Sequence, residues 1–186
     1  YCSPKSYNNE YGVPISLSQL KINHKFGVFE VGMSKKGEID NLTKLIRPHI
    51  GVITNIGEAH IENFKNVKGI AGAKSEIIKN IQKNGTIILN RDDKFFNYLE
   101  KKAKIKNLKV LTFGLNKNSD ICLKKVITKK NDKVLTIKII NQTLKIIIKN
   151  INYYNVLSSL ALLKALNLNF SQILNIYKNI EPTEGR

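Results

Sequence analysis

Residues 26 to 113 alternate short apolar runs with stretches of helical periodicity, and this alternation restricts the available folds more than any other feature. The apolar run 26–31 precedes a helical pattern at 38–46 that stops before Pro48. Residues 50–56 read as the next strand, 67–81 as a helix, 86–89 as a strand, 93–103 as a helix and 109–113 as a strand. Strands separated by helices return to the same end of a sheet, so the pattern predicts an α/β fold with a mostly parallel sheet and flanking helices. After Gly114 the chain changes to β-branched runs, 121–127, 134–140 and 144–148, split by Asn131-Asp132 and Asn141-Gln142. These read as a small antiparallel meander. Two helices close the chain, 154–166 and 171–178, with Ser171 as an N-cap and Glu181-Pro182 as a stop.

A chain of 186 residues that is 42% hydrophobic can bury one core. It opens at Tyr1 and stops at Glu184-Gly185-Arg186, so it is expected to be a piece of a longer protein. Cys2 and Cys122 lie far apart with no metal-ligand spacing, which suggests neither a zinc site nor a disulfide framework and fits a reducing cytosol. No apolar run is long enough to cross a bilayer, so a soluble, cytoplasmic protein is expected, without membrane insertion. The net charge of +17 raises the question of nucleic acid. The lysines, however, are scattered (Lys101-Lys102, Lys124-Lys125, Lys129-Lys130) and no aromatic residues are interleaved with them as stacking platforms. Lysine here reads as the default solvated residue, and no nucleic-acid partner is expected. The field would also favour an anionic small-molecule substrate.

Ligands of open parallel sheets bind beyond the carboxyl ends of the strands. Three consecutive expected strands end in polar groups: Glu30 after the first, Thr54 and Asn55 with His60 after the second, and Asn90 with Asp92 and Asp93 after the third. Singly, Glu30 reads as a surface carboxylate, His60 as a loop histidine and the Asn90 group as a helix cap. Together on one rim they read as a site. The stretch Gly69-Ile-Ala-Gly-Ala-Lys74-Ser75 imitates a phosphate-binding loop but has Ala73 where glycine must precede the lysine, and it falls within a helix. Composition alone makes Lys74 a solvated helix lysine.

Six stretches, "YNNEYGVP" from Tyr7, "VFEVGMSKKGEI" from Val28, "TNIGEAHIENF" from Thr54, "AKSEI" from Ala73, "LNRDD" from Leu89 and "NYYN" from Asn152, occur in the order found in Mur ligases. As a set they are specific, and the chain resembles most of the family's central ATP-binding domain. That domain is P-loop NTPase-like; its P-loop, the N-terminal UDP-binding domain and the C-terminal domain lie outside this chain, so the chain alone is expected to be inactive. The first stretch is similar to the branch that joins D-alanyl-D-alanine to UDP-N-acetylmuramoyl-tripeptide in peptidoglycan precursor synthesis.

The resemblance implies a reaction in which ATP phosphorylates the peptide carboxylate and the dipeptide amine attacks the acyl phosphate. Carboxylate and triphosphate repel, so magnesium must neutralise and align them. It also implies roles: Glu30 and His60 for two magnesium ions, and Lys74 carbamylated by carbon dioxide to become an oxygen ligand. Asn152 and Asn155 would face adenine, Asn90 and Arg186 the nucleotide, and Asn8, Asn9, Thr54 and Asn55 the muramoyl substrate. Lys149 stands where the family has glycine and Ile151 where it often has histidine. The family expectation is a monomer. Other readings are an amino-acid-adding muramoyl ligase, a folylpolyglutamate synthetase or a non-catalytic basic nucleotide-binding module.

Overall fold

Ile87, Ile88 and Leu89 are all fully buried, and a strand without an exposed face must lie inside a sheet covered on both sides. The computed structural model describes residues 1–4, 6–58, 60–130, 132–149, 151–170, 174 and 176–180. In it these three residues belong to β2, Thr86–Asn90, flanked in parallel by β1, Ile50–Ile53, and β3, Lys109–Gly114. β3 pairs in parallel with β4, Ile121–Lys129, which continues antiparallel into β5, Asp132–Ile139, and β6, Gln142–Ile148. The result is one six-stranded sheet whose spatial order is its sequence order. The meander expected from the sequence is therefore the antiparallel continuation of the parallel sheet.

The faces follow the two-residue period of a strand. Ile87 and Leu89 meet a core built from α2, Glu38–Ile46, α3, Val67–Lys74, α4, Ile77–Asn80, and α5, Phe96–Ile105. Ile88 points the other way, into a core shared by β4 to β6 and α6, Tyr153–Ala165, whose Val156, Leu157, Leu160 and Ala161 are buried there. No helix among the described residues is long and apolar enough to cross a membrane.

Four expectations change. The run 26–31 is not a strand of the sheet: Val28 makes a lone parallel bridge to Cys2, and Phe26 and Val28 stay 45% and 52% exposed. A strand needs a neighbour to complete its ladder, and the backbone hydrogen bonds of Phe26 and Val28 run to Tyr1 and Ser3 rather than to a strand of the sheet. The long helix 67–81 is broken into α3 and α4, because the buried Glu76 turns its carboxylate to the N–H groups of Gly37 and Asp40 at the start of α2. The last expected helix, 171–178, lies partly outside the described residues, and its described part is a 3₁₀ turn, Ile176–Asn179. Finally, α1, Gly12–Ser18, forms where no helix was expected. Its signals were Asn9, whose Oδ1 accepts from the N–H groups of Tyr11 and Gly12, and Pro14 in the first turn.

Candidate active site

The rim at the carboxyl ends of β1 and β2 is held together by its own polar groups. Asn90 ends β2, and its Nδ2 donates to the Thr54 carbonyl just past β1 at 3.1 Å, while its Oδ1 accepts from the Asp92 N–H at 3.0 Å. Asp93 reaches across to the same loop: Oδ2 accepts from the Ile56 N–H at 2.6 Å and Oδ1 from the Phe95 N–H at 2.8 Å. The sequence reading has Asp93 beginning the helix, whereas α5 starts at Phe96 and this carboxylate ties two strand ends together. Thr54 Oγ1 lies 3.4 Å from Asn55 Oδ1.

Into this loop comes Lys74, the last residue of α3, half-buried, with Nζ donating to the Asn55 carbonyl at 2.9 Å. Small residues make its approach possible, since Ala71 and Ala73 let α3 lie close on the sheet. Burial pushes the lysine pKa below its ordinary value, and the Asp93 charge pushes it partly back. Thr54, Asn55, Lys74 and Asn90 are thus brought together.

The remaining expected residues sit in separate places. Glu30 ends an extended segment rather than a paired strand. It is exposed, and its Oε1 accepts from Asn8 Nδ2 at 3.1 Å, while the Asn8 carbonyl takes the Gly32 N–H. Asn9 caps α1. His60 adopts a left-handed backbone (φ 61°) ahead of the 3₁₀ turn Ile61–Asn63, with its half-exposed ring 3.8 Å from Glu62. Nearby, the N–H groups of Ser34 and Lys35 hold the Glu38 carboxyl below the usual carboxylate range. Asn152 is the N-cap of α6, accepting from the Tyr154 N–H, and Asn155 stands exposed one turn on. Arg186 lies outside the described residues.

One connection was not foreseen. Tyr154 Oη donates to Asp92 Oδ2 at 3.0 Å, and Asp92 also accepts from the N–H groups of Leu115 and Asn116 after β3. Gly114 permits that approach: its φ is +152°, and a Cβ there would come within 2.5 Å of Asp92 Oδ2. Burial first, then the Asp92 carboxylate, raise the Tyr154 phenol to about 12, so it stays a donor. The α6 N-terminus and the rim are thereby one connected surface. The only sequence signal was the tyrosine beside the two asparagines.

A mixed α/β sheet covered on both faces, with lysine, amide and carboxylate groups gathered beyond its parallel strands, is the arrangement in which open α/β domains take ligands across the strand ends. The chain belongs to the Mur ligase family: residues 2–163 match the Mur ligase middle domain. It is 33% identical over 160 residues to the UDP-N-acetylmuramoyl-tripeptide–D-alanyl-D-alanine ligase of Bacillus subtilis, an alignment covering 86% of this chain and 33% of that protein. Among solved structures it is similar to MurF from Acinetobacter baumannii, with a TM-score of 0.91 and 26% identity over the whole of this chain and 41% of that one. The fold is also that of MurF from Thermotoga maritima in complex with ADP, at a TM-score of 0.86 and 23% identity over all of this chain and 43% of that one. The chain spans about a third of the length of such curated relatives.

Proposed function

We propose that this chain is the central, nucleotide-binding domain of a cytoplasmic ligase, monomeric as the family expectation has it, that joins D-alanyl-D-alanine to UDP-N-acetylmuramoyl-tripeptide at the expense of ATP. The observation that carries the reading is Lys74: a half-buried amine held on the Asn55 carbonyl, at the rim where Thr54 and Asn90 also meet. Relatives bearing that ligase name and the ADP-bound structure of the same fold support the substrates and the nucleotide.

The residues suit magnesium in kind. Among the described residues no three His, Cys, Asp or Glu side chains converge, and magnesium does not need them, since one or two carboxylates plus substrate phosphates suffice. Glu30 would hold one magnesium ion and His60 a second, from the separate places they occupy, with Lys74 as the carbamate adding an oxygen ligand. Bound there, magnesium supplies the charge neutralisation that lets a carboxylate approach a triphosphate. Lys74 prepares its own part: burial favours the neutral amine, the form that adds carbon dioxide with loss of a proton. Asn90 and Asp93 hold the loop that carries Thr54 and Asn55, which would orient the muramoyl peptide. Asn152 and Asn155 offer amides able to donate and accept along an adenine edge, with Arg186 on the phosphate side.

The test is phosphate release from ATP by the full-length protein, with UDP-muramoyl-tripeptide present and with or without D-alanyl-D-alanine. Release that requires the dipeptide and falls on the order of 100-fold or more in Lys74→Ala is the expected result. Release driven instead by a single amino acid would move the protein to another branch of the family. Full activity in the variant would refute the role of the lysine.

A further inference from the structure

An open cleft of about 380 Å³, lined in part by Asp93, carries Arg91, Lys94, Asn97, Asn116 and Asn118 on its walls. Of the chain's 31 lysines and arginines only Arg47, Arg91 and Arg186 are arginine. A chain that uses lysine wherever a solvated cation will do has placed a planar, five-donor fork here. The fork is held: the Arg91 guanidinium lies 4.9 Å from the centroid of the buried Phe96 ring. Among the described residues it has no hydrogen-bond or ion-pair partner, although two carboxylates follow it in sequence. Those carboxylates are engaged elsewhere, Asp92 by the N–H groups after β3 and the Tyr154 hydroxyl, Asp93 by the N–H groups of Ile56 and Phe95.

Lys94 adds a second cation, resting 5.4 Å from the Phe95 ring centroid. Asn97, Asn116 and Asn118 are exposed and bring amide donors, with Asn116 fixed by its Oδ1 accepting from the Asn118 N–H at 3.0 Å. The lining includes one carboxylate, Asp93, whose two oxygens are both occupied by backbone donors, against two cations. The balance is positive and rich in donors, the composition that recognises an oxyanion. We infer that this cleft is a binding subsite for a phosphate or carboxylate group of a small ligand, with Arg91 making a forked contact and the asparagines completing the shell.

The inference does not depend on the ligase reading. The measurement is calorimetric titration of the full-length protein with inorganic phosphate and, separately, with acetate, at constant ionic strength. The proteins compared are wild type, Arg91→Lys, Asn97→Ala and the double surface variant Lys124→Gln/Lys125→Gln. Arg91→Lys keeps the charge but loses the fork, so saturable binding should weaken on the order of tenfold. The surface variant should match wild type, whereas attraction to the general positive field would fall in it and not in Arg91→Lys. Phosphate alone binding would assign the ligand a phosphate; acetate binding, alone or in competition, would assign a carboxylate. No saturable binding of either anion, or equal binding by wild type and Arg91→Lys, overturns the site. Asn97→Ala, at an exposed helix position, decides the matter by weakened or unchanged binding should Arg91→Lys lose its fold.

Discussion

Tyr154 bears the largest identified perturbation of a titratable group near the rim, and its environment makes a pH-dependent contribution to stability. Its phenol is held neutral by burial and by donating to Asp92, so its pKa in the folded chain, about 12, lies above the ordinary value of 10. The bond contributes stability that is present in full below about pH 10 and is lost as pH rises through about 12. Tyr154→Phe should therefore cost about 0.5–1.5 kcal/mol at neutral pH, the worth of a hydrogen bond to a charged group reduced by solvent screening of this exposed bond. Thermal melts should show the two proteins converging between pH 10 and 12; a gap unchanged at pH 12 would remove the proton from this bond. The same residue marks how far the sequence carries. Thr54, Asn55 and Asn90 were legible because the strand-end rule groups them, whereas Lys74, a solvated helix lysine on composition alone, was singled out only by the family resemblance. Tyr154 was not, because its partner lies 62 positions away and no local pattern announces such a pairing.

Among elements, the division of the expected 67–81 helix shows tertiary demand overriding periodicity. A continuous apolar stripe runs through the segment, yet Glu76 sits inside it and is only 5% exposed. A buried carboxylate must find donors, and the unpaired N–H groups at the start of α2 supply them, so the backbone gives way between α3 and α4. Glu76→Ala would leave those N–H groups without a partner, and we expect a loss of about 1.5–3 kcal/mol in urea unfolding, with faster amide exchange at residues 37–40. Unfolding indistinguishable from wild type would mean that the helix break has another cause. The join between β3 and β4 also escaped the sequence reading. Parallel neighbours usually need a long crossover, but here a short loop suffices because Asp120 Oδ2 accepts from both the N–H and the hydroxyl of Thr112, at 2.8 and 2.6 Å, and the Asp120 N–H returns a bond to Thr112 Oγ1.

At the scale of the whole molecule that join raises the question of whether the parallel and antiparallel halves form one cooperative unit. The alternation of strand and helix made the parallel half legible and the β-branched runs made the other half legible. Nothing local indicated that they share a sheet. Only two residue pairs, Phe113 with Ile121 and Gly114 with Cys122, connect β3 to β4, too few to couple the halves by backbone bonds alone. The coupling falls to α6, which packs across β1, β2, β3 and β4 and buries Leu157 completely. Removing that side chain takes contacts from both halves at once. Leu157→Ala should cost about 2–5 kcal/mol and should lower hydrogen-exchange protection in β1 to β3 and in β4 to β6 by similar amounts, with unfolding still a single transition. Protection lost only in β4 to β6 would make the antiparallel half a separate unit docked on the parallel sheet, and the positioning of the α6 asparagines would then depend on that docking rather than on one core.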